Sequence, residues 1–292
     1  MKKINNIIKN GYSFIGKECQ DGFFNCYLSL SRKLNDFNDS NKSAKEIGSS
    51  ALILMLSSKK NKEINIIASY LIKQIKQGKF HFFENESLLP ADVDTSSWIL
   101  SALLLKKKLS KNSIIKTAKN IADNVDSNKL IKVYFEPCNR ENRLDHVAML
   151  NALYLLNLAG MNKLAKPTLD YVINKLQTRE YLTGSRYYHS PLTFLFFFSR
   201  LFDFNNFQQF KKIVKNQLSD IPLSGYPIDL SCRIIISKKL GMACNNEINL
   251  LTGLQEKDGG WPFDGIYRFG KKEQYFGSRA ITTIFALHAL ET

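Results

Sequence analysis

Apolar runs of helical length recur along this chain at a near-constant interval, and each is entered through the same kind of short polar segment. The most apolar runs cover 47–56, 98–105, 147–158, 192–202, 228–240 and 280–290. Between them lie runs with more Lys, Asn and Glu, at 65–75, 114–122, 164–176, 207–218 and 247–254. Their length and their spacing of apolar residues mark both kinds as helices rather than strands. The entering segments are PADVDTSS from position 90, RLDHVAM from 143, YYHSPLTF from 187, GYPIDLS from 225 and YFGSRAITT from 275. Their starts lie roughly 40–55 residues apart, the length of a helical hairpin with its loops. An earlier unit begins within NKSAKEIGSSALILML, at 41–56.

About six units of this kind predict an all-α fold, an α/α toroid built from inner and outer helix rings. The very apolar helices fill the centre, and half-solvated ones such as INIIASYLIKQIK and NSIIKTAKNIADNV surround them. An open solenoid is the alternative arrangement of the same hairpins. Aromatic residues gathered just before the inner helices favour closure, because those segments then converge at one mouth. No β-hairpin is expected; KVYFEP at 132–137 reads as a short extended piece at most. The whole chain, 1–292, is expected to form one toroid domain.

Composition limits the setting. Of 292 residues, 41 are Lys or Arg and 26 are Asp or Glu, for a formal net charge of +15. The lysines are scattered, so the charge does not point to nucleic acid; it is compatible with anionic ligands or contact with a membrane surface. Five cysteines, Cys19, Cys26, Cys138, Cys232 and Cys244, include no C-x-x-C pair, which argues against a disulfide framework and a thiolate zinc site. Asparagines interrupt the N-terminal apolar stretch, a poor leader, and the longest apolar run is far too short to span a bilayer. A soluble, cytoplasmic protein is the expectation.

Two motifs carry a resemblance. LQEKDGGWPFDG at 254–265 and ECQDGFFNCYLS at 18–29 share a Gln, a short polar gap, Asp-Gly and an aromatic. This resembles the glutamine–tryptophan repeat of the squalene–hopene and oxidosqualene cyclase family, where the residues staple helix ends. Gln20, Gln255 and Trp261 are then structural, with Gly259 and Gly260 supplying the turn. The second motif is Asp92-Val93-Asp94-Thr95-Ser96-Ser97. It resembles the Asp-x-Asp-Asp-Thr-Ala run of class II terpene cyclases, whose middle aspartate protonates an alkene or epoxide. Asp94 falls on that donor, Asp92 on the first aspartate, and Thr95 replaces the third. Oxidosqualene cyclases also lack that third aspartate. Typical family members carry a second helical domain, with the active site between the two; a separate protein supplying that half is an open option here.

The resemblance implies protonation-initiated chemistry on a polyprenyl substrate, an isoprenoid that can carry a diphosphate, with no cofactor and no metal. A neutral carboxylic acid in a dry cavity is required, and two adjacent carboxyls favour it because both cannot easily ionise. Thr95 or Ser96 would orient the acidic proton. Aromatic faces would stabilise the cations; the substrate-binding candidates are Trp98, Phe82, Tyr134, Tyr188, His189, Trp261 and Phe263, among further mouth aromatics. His146 and His189 are candidate partners of Asp94. Arg143 or Arg279 would meet a diphosphate, and Glu136 and Arg140 share a loop with Arg143.

Residue chemistry alone leaves other readings open. Asp and Ser/Thr are preferred helix N-caps, so Asp92 and Asp94, like Asp145 and Asp229, can simply be caps. A zinc prenyltransferase would use Asp229, Cys232 and His288. A glycosidase or lyase would set paired carboxylates in a polar groove. A non-catalytic binding or scaffold toroid would use no acid at all.

Overall fold

The computed structural model describes residues 2–33, 42–58, 62–138, 141–270 and 274–292; Arg140 lies outside them. The described residues include twelve α-helices: α1 (Lys2–Glu18), α2 (Gly48–Leu56), α3 (Lys62–Lys73), α4 (Val93–Leu105), α5 (Lys111–Asp123), α6 (His146–Ala159), α7 (Lys166–Gln177), α8 (Pro191–Arg200), α9 (Lys211–Asp220), α10 (Pro227–Lys239), α11 (Asn245–Gly253) and α12 (Arg279–Glu291). The even-numbered helices form the inner ring. Each packs on the next, and α12 packs on α2, so the ring closes. The odd-numbered helices lie outside, and the first helix of the chain covers the last inner one, α12. The fold is an all-α toroid, and the ends of the ring meet.

Burial follows the sequence pattern. In α2, eight of the nine helical positions, from Gly48 to Leu54 and Leu56, are buried. Such an all-round apolar helix can only be central. In α3 the buried residues are Ile64, Ile67, Ala68 and Leu71, a single stripe. Each large apolar side chain buried in the inner ring contributes about 1.5–3 kcal/mol relative to exposure. No described helix is long and apolar enough to cross a membrane.

The inner helices begin where the caps were expected, with one exception. Asp92 accepts from the Thr95 amide (2.7 Å), Asp145 from Val147 and Ala148 (2.9 and 3.1 Å), Ser190 from Leu192 (3.2 Å) and Ser278 from Ile281 (3.1 Å). These bonds satisfy amides that have no partner inside the helix. Asp229 is the exception. It sits inside α10, where it pairs with Arg32 at 2.9 Å and accepts from Ser190 Oγ at 2.6 Å and Ser224 Oγ at 2.9 Å. Hydrogen bonds between neighbouring cap segments draw them together at one mouth: Ile47 N–H to Phe82 O (2.8 Å), Val93 N–H to Val133 O (2.7 Å) and Tyr187 N–H to Asp145 Oδ2 (3.2 Å).

A small sheet at this mouth was not expected. Strands β1 (Tyr27–Ser29), β2 (Tyr267–Arg268) and β3 (Tyr275–Gly277) pair antiparallel in the order β1-β3-β2, with Leu28 and Tyr267 both opposite Phe276. Pieces of two or three residues leave no alternating pattern to read. The extended piece at 132–137 contributes an isolated bridge between Tyr134 and Asp92.

The Gln–Trp motif staples the outer face. Gln255 Nε2 donates to Ile7 O in α1 (2.8 Å) and to Gly259 O (2.9 Å). Gly259 has φ +95°, and a Cβ there would lie 2.5 Å from Asn10 O, so the turn requires glycine. The buried Trp261 indole donates to Leu251 O near the end of α11 (2.7 Å). Arg279 joins this staple, binding Asp258 at 2.7 and 2.8 Å and the Trp261 carbonyl at 3.1 Å.

Candidate active site

An open cavity of about 460 Å³ occupies the mouth above α4. Asp92, Asp94 and Thr95 line it where α4 begins. Phe82, Phe83 and Leu89 come from the loop before α4, and Val133 and Tyr134 from the extended piece. Tyr187 and Tyr188 precede α8, while Tyr267, Phe269 and Phe276 come from the small sheet and its turn. Three arginines, Arg143, Arg186 and Arg268, also line it.

The two aspartates divide the work. Asp92 is the helix cap, and its carboxyl is spent on the Thr95 amide. Asp94, half-buried in the first turn, is not a cap. Its Oδ2 accepts from the Tyr188 hydroxyl at 2.6 Å and its Oδ1 from Asn151 Nδ2 at 2.8 Å. Burial, and then the neighbouring Asp92, pushes the Asp94 carboxyl up to about 8, against the two donors that pull it down. Burial pushes Asp92 up to about 7, and the Thr95 bonds moderate the rise. The result is a carboxylic acid that keeps its proton at neutral pH, with donors placed to receive the conjugate base.

The sequence-derived candidates fall into three groups. Phe82, Tyr134 and Tyr188 line the cavity with Asp92 and Asp94. Trp98 lies one layer below, buried between the Phe197 and Tyr267 rings (centroids 5.8 Å from each) and against the edge of Tyr188 (6.1 Å), so it buttresses the wall without forming it. His189, Trp261 and Phe263 are outside the lining. His189 packs edge-on against Tyr275 (5.0 Å), and burial pulls it down to about 3, so it is neutral. Trp261 belongs to the staple, and Phe263 is buried three residues after Gly260.

None of the four expected partners of Asp94 is hydrogen-bonded to it. Ser96 Oγ accepts from the Phe80 amide (2.9 Å) and Thr95 serves Asp92; neither is hydrogen-bonded to Asp94. His146 packs against Phe194 (5.4 Å) and His189 against Tyr275, so neither bonds it either. Tyr188 and Asn151 take that role instead. Asn151 was missed, although an amide in the middle of the apolar run HVAMLNALYLLNLA, which also holds Asn157 near its end, is a readable signal. Phe269, Arg186 and Arg268 were also missed, because they belong to unrecognised short strands and turns. Arg279 is committed to the Trp261 staple, so of the two named arginines only Arg143 reaches the cavity, paired there with Glu141. Glu136 is exposed and bonded to Lys132 and Asn142. Asp229, Cys232 and His288 do not converge; among the described residues no group of three His, Cys, Asp or Glu is placed to hold a metal ion.

No family model matches the sequence. A drimenol cyclase, drtB from Aspergillus calidoustus, is 31% identical over 206 residues, covering 69% of this chain and 38% of the relative. The chain thus spans well under half the length of that curated relative. Among solved structures, the type II terpene cyclase MstE from Scytonema superposes with a TM-score of 0.71 at 13% identity, over 99% of this chain and 98% of that one. A variant of MstE bound to geranylgeranyl dihydroxybenzoate as substrate gives 0.68 at 11% identity, over 99% and 96%. An α-amylase from Clostridium perfringens gives 0.65 at 13%, over 97% of each chain. Likeness at these identities establishes the toroid and leaves the chemistry to the site.

Proposed function

From its α/α-toroid fold, shared with the type II terpene cyclases, we propose that this chain cyclises a linear isoprenoid by protonating one of its alkenes. The observation that carries the reading is the Asp94 carboxyl: neutral at physiological pH, held by Tyr188 and Asn151, and open to an aromatic-walled cavity. In the first step the Asp94 O–H bond breaks and a C–H bond forms at one alkene carbon, leaving a carbocation on its neighbour. Further alkenes attack that centre to close rings. Loss of a proton or capture by water ends the sequence, and solvent returns a proton to Asp94. Asp92 shapes the helix start and disfavours ionisation of its neighbour. The faces of Tyr188, Tyr267, Phe82 and Tyr134 stabilise positive charge without offering a strong nucleophile. The α-amylase likeness does not favour glycoside hydrolysis, because Asp92 and Asp94 share one helix start instead of flanking a groove.

We favour a diphosphate as the polar head of the substrate. Arg186 and Arg268 line the cavity with no carboxylate partner among the described residues; Arg268 Nη2 donates to Ser185 O at 2.7 Å, and the Nε of each arginine is buried without a hydrogen-bond acceptor. Guanidinium groups match phosphate oxygens in charge and geometry. The drtB and MstE likenesses support an isoprenoid ligand. The near-complete overlap with MstE supports residues 1–292 acting as one toroid unit, while the extra length of drtB leaves room for a partner supplying further structure. Surface contact with an anionic membrane and a cytoplasmic location belong to the same proposal; Cys19, Cys26, Cys232 and Cys244 carry free thiols, as in a reducing compartment.

The test is direct. Purified protein is incubated with prenyl diphosphates of several lengths, the corresponding alcohols and squalene, and products are identified by mass spectrometry and NMR. Cyclic products from at least one substrate are expected. Unchanged linear substrate throughout, from folded protein, would reject the reading in favour of a non-catalytic toroid.

A further inference from the structure

Asn151 is held from both sides. Its amide nitrogen donates to Asp94 Oδ1 at 2.8 Å, and its carbonyl accepts from Arg200 Nη1 at 2.8 Å. Arg200 ends α8, is 8% exposed, and lies with its guanidinium 4.0 Å from the centroid of the Tyr154 ring. A guanidinium has no acceptor, so it fixes the Asn151 amide with its oxygen toward Arg200 and its NH₂ toward Asp94. Flipping the amide would set oxygen against oxygen at Asp94 and N–H against N–H at Arg200.

We propose that Arg200 is a positioning residue for the acid: through Asn151 it confines the acidic proton of Asp94 to Oδ2 and keeps a positive charge close to the carboxylate left after transfer. The inference rests on Asp94 being the proton donor. Oδ1 faces a locked donor and cannot carry a proton in that direction. Oδ2 faces the Tyr188 hydroxyl, which unlike the locked NH₂ can also accept, so Oδ2 is the oxygen able to carry the proton. When the proton leaves, two donors and the Arg200 charge face the new anion, which makes Asp94 a stronger acid than its burial alone allows.

Other charged and titratable groups share the region and are named for the test. Asp92, Asp145, Tyr188 and Tyr267 act on Asp94 or are acted on by it. Tyr154, Asp203 and His288 face Arg200, and Lys239 on α10 pairs with Asp203 at 3.1 Å. None of these supplies the link through Asn151.

The experiment is a pH titration of the aspartate carboxyl ¹³C resonances, with Asp94 assigned by comparison with Asp94→Asn. The parent, Arg200→Met, Arg200→Lys and Asn151→Leu are compared, and circular dichroism is recorded for each. Removing the positive charge weakens the acid, so Arg200→Met is expected to raise the Asp94 midpoint by about 1 pH unit. Arg200→Lys keeps the charge and is expected to recover most of that shift. In turnover assays the high-pH limb should move upward by the same amount, with kcat reduced and KM unchanged. An Asp94 midpoint that is the same in parent and Arg200→Met would overturn the proposal. So would equal midpoints in Arg200→Met and Arg200→Lys, or, if Arg200→Met does not fold, equal midpoints in the parent and Asn151→Leu. Because the carboxyl titration needs no substrate, absence of cyclase activity and absence of the Arg200 effect are separate results.

Discussion

The Tyr188 hydroxyl and the Asp94 carboxyl, 94 residues apart in the chain, meet at 2.6 Å in the wall of the cavity. Tyr188 comes from the segment before α8 and Asp94 from the first turn of α4, two inner helices that both pack on α6. Burial, and then Asp94, raises the Tyr188 phenol well above its ordinary range, so Tyr188 keeps its proton. Tyr188→Phe removes one donor from the conjugate base and keeps the ring. A kcat loss of roughly 10–100-fold is expected, the size of a hydrogen bond to a charged group. Steady-state kinetics on the parent and variant check it, with circular dichroism to show the fold intact.

Stability should fall as pH rises through the neutral range. Asp94, Asp92 and Glu46 are raised by burial to about 8, 7 and 7. Their folded-state pKa values lie above their unfolded ones, so the folded chain holds protons that the unfolded chain has released. The stability they contribute is complete below about pH 4 and is lost as pH rises through their folded values. His189 and His288, lowered by burial to about 3 and 4, act in the opposite sense but only below about pH 6.5. The clean window is therefore about pH 6.5–8.5. There the melting temperature of the parent should drop, and Asp94→Asn should drop less. At pH 8.5 the variant should be the more stable protein, by about 1–3 kcal/mol. Urea unfolding at several pH values measures this; identical slopes would mean that Asp94 ionises normally.

The arginine rim predicts selectivity for the head group. Arg186→Ala and Arg268→Ala should each raise KM for a prenyl diphosphate by about 10-fold, the scale of one charge-assisted contact. KM for the matching alcohol should change little. Arg279→Ala should leave head-group selectivity alone, because Arg279 is spent on Asp258 and the Trp261 carbonyl. Equal effects on diphosphate and alcohol would remove the diphosphate from the account.

Trp261→Ala should cost fold stability. The indole is fully buried, bonds Leu251 O and lies outside the cavity. Truncation of a buried Trp costs about 3–5 kcal/mol. Denaturant midpoints check the loss, and the protein that remains folded should bind ligand as the parent does.

The toroid was legible because its signal is long and repeated. Six apolar runs, each with its entering segment, fix which helices are central, and a ring is how they bury one another. The candidate site was half-legible. Asp92 and Asp94 stand out in a local motif, and Tyr188 and Tyr134 in the aromatic segments of the mouth. Their partners were harder to see. Tyr188 was named only as a wall residue, and Asn151 reaches Asp94 from another helix, at a separation of 57 residues that no local pattern encodes. Arg186, Arg268 and Phe269 were invisible because the strands and turns that aim them are two or three residues long. Asp229 misled for the opposite reason: it occupies a cap-like place in the repeat, yet the fold brings Arg32 against it and the cap position passes to Tyr226.

The most direct test of the central claim is the turnover of Asp94→Asn against the parent on the substrate that gives cyclic product. Asn keeps the shape of the side chain, so the cavity is preserved, but it carries no acidic proton. Loss of a general acid typically costs about 10²–10⁴-fold in rate, and more where no other group can protonate an alkene. Asp92→Asn should lose less, because Asn still caps α4 and Asp94 keeps its proton and its two donors. The account predicts a folded Asp94→Asn protein that binds substrate and releases no cyclic product. Cyclic product at the parental rate from that variant would contradict it.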